Sequence, residues 1–345
     1  MLGVLVALQL LTAPVVDPFA FFSPTVVIAR GDRQRLDGGQ PIAQVIPGTG
    51  LEVAIFAAVP VNIDGDRLVA WMRRIEELKR STYVLAIRRF SNPPRLDDLT
   101  DLTLDDRELS AIQACRPAHC GLKLSAAEMA ALQRVASPTR ADWKAATEQR
   151  FREIVLARVD AYLADGRIGA YDDRAPAIRP AEEFARLVDH SPFLTTHLPD
   201  FAASLRRASA QRPPGVEVFL YWSKEHLANR PIVSVTEVNI IRSKTPGVPE
   251  ALVAGKEIFS THYVNASLSL TALLPGAAGG PNYLAYVNRS SVDMLSGPFA
   301  GLIRWVLQRR LRAEAANVLL GLQKRLERGD PPPQPAVVRF QSNLR

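Results

Sequence analysis

The run from Gly297 to Gly329 constrains this chain most. Phe299, Leu302, Ile303, Val306, Leu307, Leu311, Ala315, Val318, Leu319, Leu322 and Leu326 recur at steps of three and four, which places them on one stripe of a helix. Arg304, Arg309, Arg312, Lys324, Arg325 and Arg328 fall mostly off that stripe and are expected to face water. Ser296 is a suitable cap, Pro298 fits the first turn, and Gly329 followed by prolines stops the run. At about 1.5 Å per residue the helix spans on the order of 45 Å. A stripe that long needs a broad apolar partner. A sheet is the expected one, with contact to a membrane surface as the alternative, because basic residues flank the stripe.

The segments before it supply such a sheet. From Val216 the pattern changes to a period of two, and Val216 to Trp222, Ile232 to Ile241, Leu252 to Leu274 and Tyr283 to Asn288 read as strands. The third run is long enough to bend or to hold a bulge. Within it Val264, Ala266, Leu268, Leu270 and Ala272 alternate with Tyr263, Asn265, Ser267, Ser269 and Thr271, which predicts an antiparallel sheet with one covered face. Earlier, Ile42 to Ile46 and Leu51 to Val61 form a predicted hairpin around Pro47-Gly48-Thr49-Gly50, a helix starts at Asp64, and Thr82 to Phe90 returns to strand. Phe19 to Ile28 reads as an extended lead-in.

Residues 96–210 are mostly helical, with segments at Glu108 to Gln113, Ser125 to Val135, Asp142 to Ala164, Pro180 to His190 and Pro199 to Ser209. Ser125 with Glu128 fits a capping box. The expected organisation is a leader at 1–16, a strand-helix-strand part at 17–95, a helical insertion at 96–210, strands plus the long helix at 211–329, and a loose tail at 330–345. The fold class is α+β: a curved antiparallel sheet wrapped on a long C-terminal helix, with a helical insertion.

Leu2 to Val16 carries no charge and resembles a secretory signal lacking its basic start; a buried N-terminal strand is the alternative. The body is expected to be exported, periplasmic or envelope-associated. Cys115 and Cys120 are the only cysteines, in Cys-Arg-Pro-Ala-His-Cys. In an exported chain they read as a short disulfide, with free thiols and a metal site involving His119 as the other readings. No metal site or cofactor motif emerges. The net charge of +7 is spread along the chain without an aromatic-basic motif, so nucleic acid is not an expected partner. Nothing in the sequence identifies a protein partner.

The order of elements over Val53 to Lys79 and Val216 to Arg328 resembles the START-like helix-grip superfamily. That resemblance implies a cavity between sheet and last helix that holds sterols, phospholipids or other apolar molecules, and in some members an enzyme site. Cys115 through Leu124, Tyr221-Trp222-Ser223-Lys224-Glu225 and Tyr286 through Ser290 also resemble a group of exported bacterial proteins, a likeness that implies no activity. Polar candidates for orienting a ligand are Tyr221, Lys224, Lys256, His262 and Arg289. Lys256 and His262 share parity with Ile258, Val264 and Leu268 on an unbent strand, and Arg289 is placed either to take an anionic headgroup or to pair with Asp293. The leading expectation is an apolar or lipid-like ligand. The alternatives are a hydrolase or cyclase using His262, Lys224 or Glu225, and an envelope scaffold binding protein through the helical block.

Overall fold

The structure, a computed structural model, describes residues 17–139, 141–206, 213–227, 230–277 and 279–329. The leader read at 1–16 and the tail read at 330–345 lie outside the described residues.

The chain enters through a one-turn helix at Pro18–Phe22, capped by Asp17, where an extended lead-in was expected. Pro18 sets the first turn, and Phe19, Phe21 and Phe22 all turn inward. Helix α1 (Arg30–Asp37) precedes strands β1 (Ile42–Ile46) and β2 (Glu52–Val61), which form the predicted hairpin. Helices α2 (Gly65–Met72) and α3 (Ile75–Leu78) lead to β3 (Val84–Arg89). The helical block contains α4 (Asp106–Ala114), α5 (Ala126–Gln133), α6 (Trp143–Asp165), α7 (Pro180–Asp189), α8 (Pro192–His197) and α9 (Pro199–Arg206). Strands β4 (Glu217–Leu227), β5 (Arg230–Arg242), β6 (Ala251–Ser260), β7 (Val264–Leu274) and β8 (Asn282–Val292) follow, and α10 (Ala300–Glu327) ends the described chain.

The eight strands of the described residues form one curled antiparallel sheet in the order β1-β2-β8-β7-β6-β5-β4-β3. The fold is α+β, and its long C-terminal helix packs on the sheet. Strand β2 lies against β8 over the whole of its length, so the early strand-helix unit and the late strands share one surface. The run expected from Leu252 to Leu274 is two strands, parted at Thr261, His262 and Tyr263. Tyr263 sits at φ 58°, a left-handed conformation that a tyrosine adopts only when its surroundings hold it there.

Both faces of the sheet are covered, where the alternation in β7 suggested one. On the outer face, Ala54, Phe56, Leu268 and Leu270 pack against the aromatic side chains of the entry segment and of α7 and α8. Phe22 stacks edge-on against Phe56 and Phe193, at 5.4 and 5.2 Å between ring centres. Each such buried ring contributes about 1.5–3 kcal/mol. Leu220, Trp222, Val233 and Val235 meet α4 to α6 on the same face. The inner face belongs to α2, α3 and α10, which cover Ala57, Val59, Phe219, Val238, Ile240 and Val253.

Helix α10 packs on the sheet as expected, mainly on β2 and β1, and also touches α2. The stripe splits: Ile303, Leu307 and Leu311 face the sheet side, and Leu319 and Leu326 are buried. Phe299, Leu302, Trp305, Val306 and Val318 are turned to solvent, about 100° round the helix per residue from their neighbours. Three arginines expected to face water clamp the helix instead. Arg304 donates to the carbonyls of Gly50 and Glu52, Arg312 to that of Ala43 at 2.9 Å, and Arg325 to those of Glu77, Leu78 and Arg80. No described helix is long and apolar enough to cross a membrane.

Candidate binding site

Five adjacent strands each change from apolar to polar along the inner face, the boundary stepping diagonally across the ladder from β7 and β8 to β6 and on to β5 and β4. Along β4 the inward side chains run Phe219, Tyr221, Ser223, Glu225; along β5, Val238, Thr236, Ser234; along β6, Val253, Gly255, Glu257. Along β7 they run Leu273, Thr271, Ser269, Ser267, and along β8, Leu284, Tyr286, Asn288. The apolar half lies under α2, α3 and α10. The polar half forms a cleft of about 200 Å³ to which Lys79 adds its side chain, and no residue of α10 lines it.

Backbone irregularities shape this cleft. Strands β6 and β7 pair only as far as Lys256 and Leu268; beyond that β6 stays with β5 and β7 with β8, so the sheet opens along a seam. Bulges interrupt the ladder between β5 and β6 at Ile258, between β7 and β8 at Asn265, and between β3 and β4 at Leu85. Each bulge re-aims the side chains beyond it. Ile258 and Phe259 therefore both enter the outer core, which leaves Glu257 and Ser260 facing the cleft. The seam is closed from behind by Lys123, whose amide donates to the Thr261 carbonyl at 2.9 Å and whose Nζ donates to Asn265 Oδ1 at 2.7 Å. Gly255 forms part of the floor, and a Cβ there would lie 2.4 Å from Ser269 Oγ.

The cleft holds more acid than base. Lys79 Nζ donates to Glu225 Oε1 at 2.6 Å and reaches the Tyr221 hydroxyl at 3.4 Å. Burial works against the charge on Lys79, but Tyr221 and Glu225 outweigh it and hold the ammonium well above its ordinary range. Burial likewise works against the Glu225 carboxylate, but Lys79 and a 2.6 Å bond from Ser223 Oγ hold it below the ordinary value. Glu257 has no such partner: no hydrogen bond from the described residues reaches its carboxyl. Burial and then the Glu225 charge push it up to about 8. Burial and neighbouring Tyr221 and Glu225 push the Tyr286 phenol up to about 12. At neutral pH the cleft thus presents an ionised Glu225, a protonated Glu257, an ammonium and a field of hydroxyls.

Of the residues singled out in the sequence, Tyr221 and Glu225 line this cleft. Lys224 points to the outer face, where it meets Glu108 at 2.7 Å and the Thr103 carbonyl at 2.7 Å. Lys256 also points outward, donating to the Leu205 carbonyl at 2.8 Å and lying over the Tyr162 and Phe184 rings. The bulge at Ile258 and the break at Thr261 end the shared parity assumed for Lys256 and His262. His262 is buried in the turn between β6 and β7, where burial and then Arg230 lower it to about 4. Arg289 is buried on the outer face and pairs with Glu52, not with Asp293, whose carboxylate takes Lys123 at 2.9 Å and Arg174. Cys115 and Cys120 are joined as a disulfide.

Glu257, Ser234, Thr236 and Gly255 were not picked out beforehand. The signal that carries them is not in any one strand. It is the polar stretch that five neighbouring strands set side by side.

A larger depression lined by Asn62, Asp64, Asp66 and Arg67 opens broadly to solvent, and its Asp64 carboxylate is occupied in capping α2. Among the described residues no group of three His, Cys, Asp or Glu side chains is placed to hold a metal ion.

No family model matches the chain, and no curated protein matches it. Among solved structures it is similar to the crystal structure of Ara h 8.0201, at 9% identity and a TM-score of 0.18, over 43% of this chain and 90% of that one.

Proposed function

We propose that this chain binds a compact polar small molecule in the cleft at the β6–β7 seam. The observation that carries the reading is the switch from apolar to polar lining on five adjacent strands, which forms a cleft to which α10 contributes no side chain. This shifts the expected cargo away from a lipid. An apolar guest would strip water from the hydroxyls and the Glu257 carboxyl without replacing it, at about 1–3 kcal/mol for each group left unpaired. Its own burial returns only about 25 cal/mol per Å². The Cys115–Cys120 disulfide supports an oxidising compartment, and with it the reading of the chain as exported to the periplasm or envelope.

The test is native mass spectrometry of gently purified protein beside a Ser234→Trp variant, which places a large ring in the cleft. A polar small molecule retained by the parent and lost from the variant is the expected result. Equal retention by both, or an apolar molecule held in both, overturns the reading.

A second reading has one observation in its favour. Glu225 and Glu257 share the cleft and are pushed to opposite protonation states, the arrangement that lets one carboxyl act as base and its neighbour as acid. Turnover lost in both Glu225→Gln and Glu257→Gln, with binding retained, would establish it as an enzyme.

A further inference from the structure

Charge arithmetic within the cleft leaves one group over. Lys79 is committed to Glu225 at 2.6 Å. Lys123, behind the seam, is committed to Asp293 at 2.9 Å and to Asn265. Strand β4 also brings Tyr221 and, at the exposed rim, His226; β8 brings Tyr286; the inward faces of β5 and β7 bring hydroxyls. Glu257 alone faces the cleft with neither a cation nor a hydrogen-bond donor of the described residues on its carboxyl. A carboxyl in such a place costs free energy as an anion unless something supplies a counter-charge. The hydroxyls of Ser234, Thr236 and Ser269 stand on the neighbouring strands as acceptors. Tyr221 already receives one cation, Lys79, whose Nζ lies 5.2 Å from its ring centre.

We infer that the ligand of this cleft carries a primary ammonium group, which Glu257 and the surrounding hydroxyl oxygens receive. The inference rests on the reading of the cleft as a binding site. An ammonium offers three donors, enough for the carboxylate and two hydroxyls. Binding is coupled to a proton. The resting acid loses its proton to solvent, the carboxylate that remains accepts from the ligand ammonium, and the complex forms with one proton released. No bond of the ligand is made or broken.

Ethanolamine and ethylene glycol test this, because they differ by one ammonium in place of one hydroxyl. Binding is followed by amide chemical shifts of the seam residues, and proton release by pH-stat titration in unbuffered solution. At pH 8 ethanolamine is expected to bind about tenfold more tightly than ethylene glycol, the worth of one charged hydrogen bond. At pH 7 it should release about one proton per complex, and its advantage should shrink towards pH 6. In Glu257→Gln the advantage and the proton release should both disappear while the glycol still shifts the seam. The wild-type proton count stands even if that variant folds poorly. Glycol binding as tight as ethanolamine, or ethanolamine binding without proton release, overturns the ammonium inference and leaves the polar cleft standing. Silence of the seam amides to both molecules overturns the two together.

Discussion

Lys224 and Glu225 are neighbours in the chain and serve opposite faces of the sheet. Lys224 Nζ lies 2.7 Å from Glu108 on α4, and Glu225 Oε1 lies 2.6 Å from Lys79 behind α3. Alternation along β4 separates them, so a pair that resembles one charged cluster is a tie to the helical block on one side and a wall of the cleft on the other.

The Lys224 tie is buried at both ends, with side chains 6% and 4% exposed. Removing one partner leaves the other charge without compensation. Lys224→Ala should lower stability by about 3–5 kcal/mol, read from urea denaturation. Burial raises the Glu108 carboxyl against the pull of Lys224, so the lone acid should take up a proton readily. A Lys224→Met, Glu108→Leu double variant should recover only part of the loss: the buried charge is gone, but the Thr103 carbonyl and the Asp105 amide lose their partners.

Glu257 sets a pH dependence of known sign. Its carboxyl is raised to about 8 in the folded chain from a starting value of 4.5. Between those values the folded state holds a proton that the unfolded state has lost. The stability this gives is fully present below the lower value, and it is lost as pH rises through the upper one. The slope from this group is no steeper than about 1.4 kcal/mol per pH unit. Denaturation midpoints for wild type minus Glu257→Gln should fall from pH 5 to pH 8 and then level; a flat difference contradicts the assignment.

Gly255 is a requirement of the cleft floor. Gly255→Val brings a branched side chain against Ser269 Oγ, and overpacking of that kind costs about 1–3 kcal/mol. Ser269→Gly in the same chain should return part of that loss. Thermal melts of the single and double variants measure the coupling.

The uneven seating of α10 makes two neighbouring truncations behave differently. Leu319→Ala empties a buried position and should cost about 2–5 kcal/mol. Trp305 is 56% exposed, so Trp305→Ala should change stability by less than about 1 kcal/mol. Chemical denaturation of both variants separates the buried face of the helix from the face turned to solvent.

Periodicity carried the helices and strands because each depends on local spacing. The 3.6-residue stripe fixed α10, and the period of two fixed β4, β5 and β8. The length of the run from Leu252 to Leu274 called for a bend or a bulge, and both are there, but the pattern did not place the turn at Thr261 to Tyr263, because the residues around it still read as strand. Nor did it place the bulges, each of which shifts parity by one residue through pairing partners distant in sequence. The basic candidates Lys224, Lys256 and Arg289 stand out in apolar strands for a structural reason: each is engaged by the helical block or by the outer ends of the strands. Ser267, Ser269 and Thr271 read in the sequence only as the polar side of an alternating strand, and they became a candidate site only when five strands set such residues side by side.

The chain leaves the sheet after β3 and comes back to it as β4, and the two strands are hydrogen-bonded neighbours; the Phe90 amide donates to the Leu220 carbonyl at 2.9 Å. Everything between departs and returns at one doorway. The pairing plan of the sheet is therefore indifferent to how long that excursion is, and a lineage is free to lengthen or trim it without re-threading a strand. What trimming cannot spare is the cover it lays over Trp222 and its neighbours: a shortened version would keep its hydrogen-bond ladder and precipitate through its bared back.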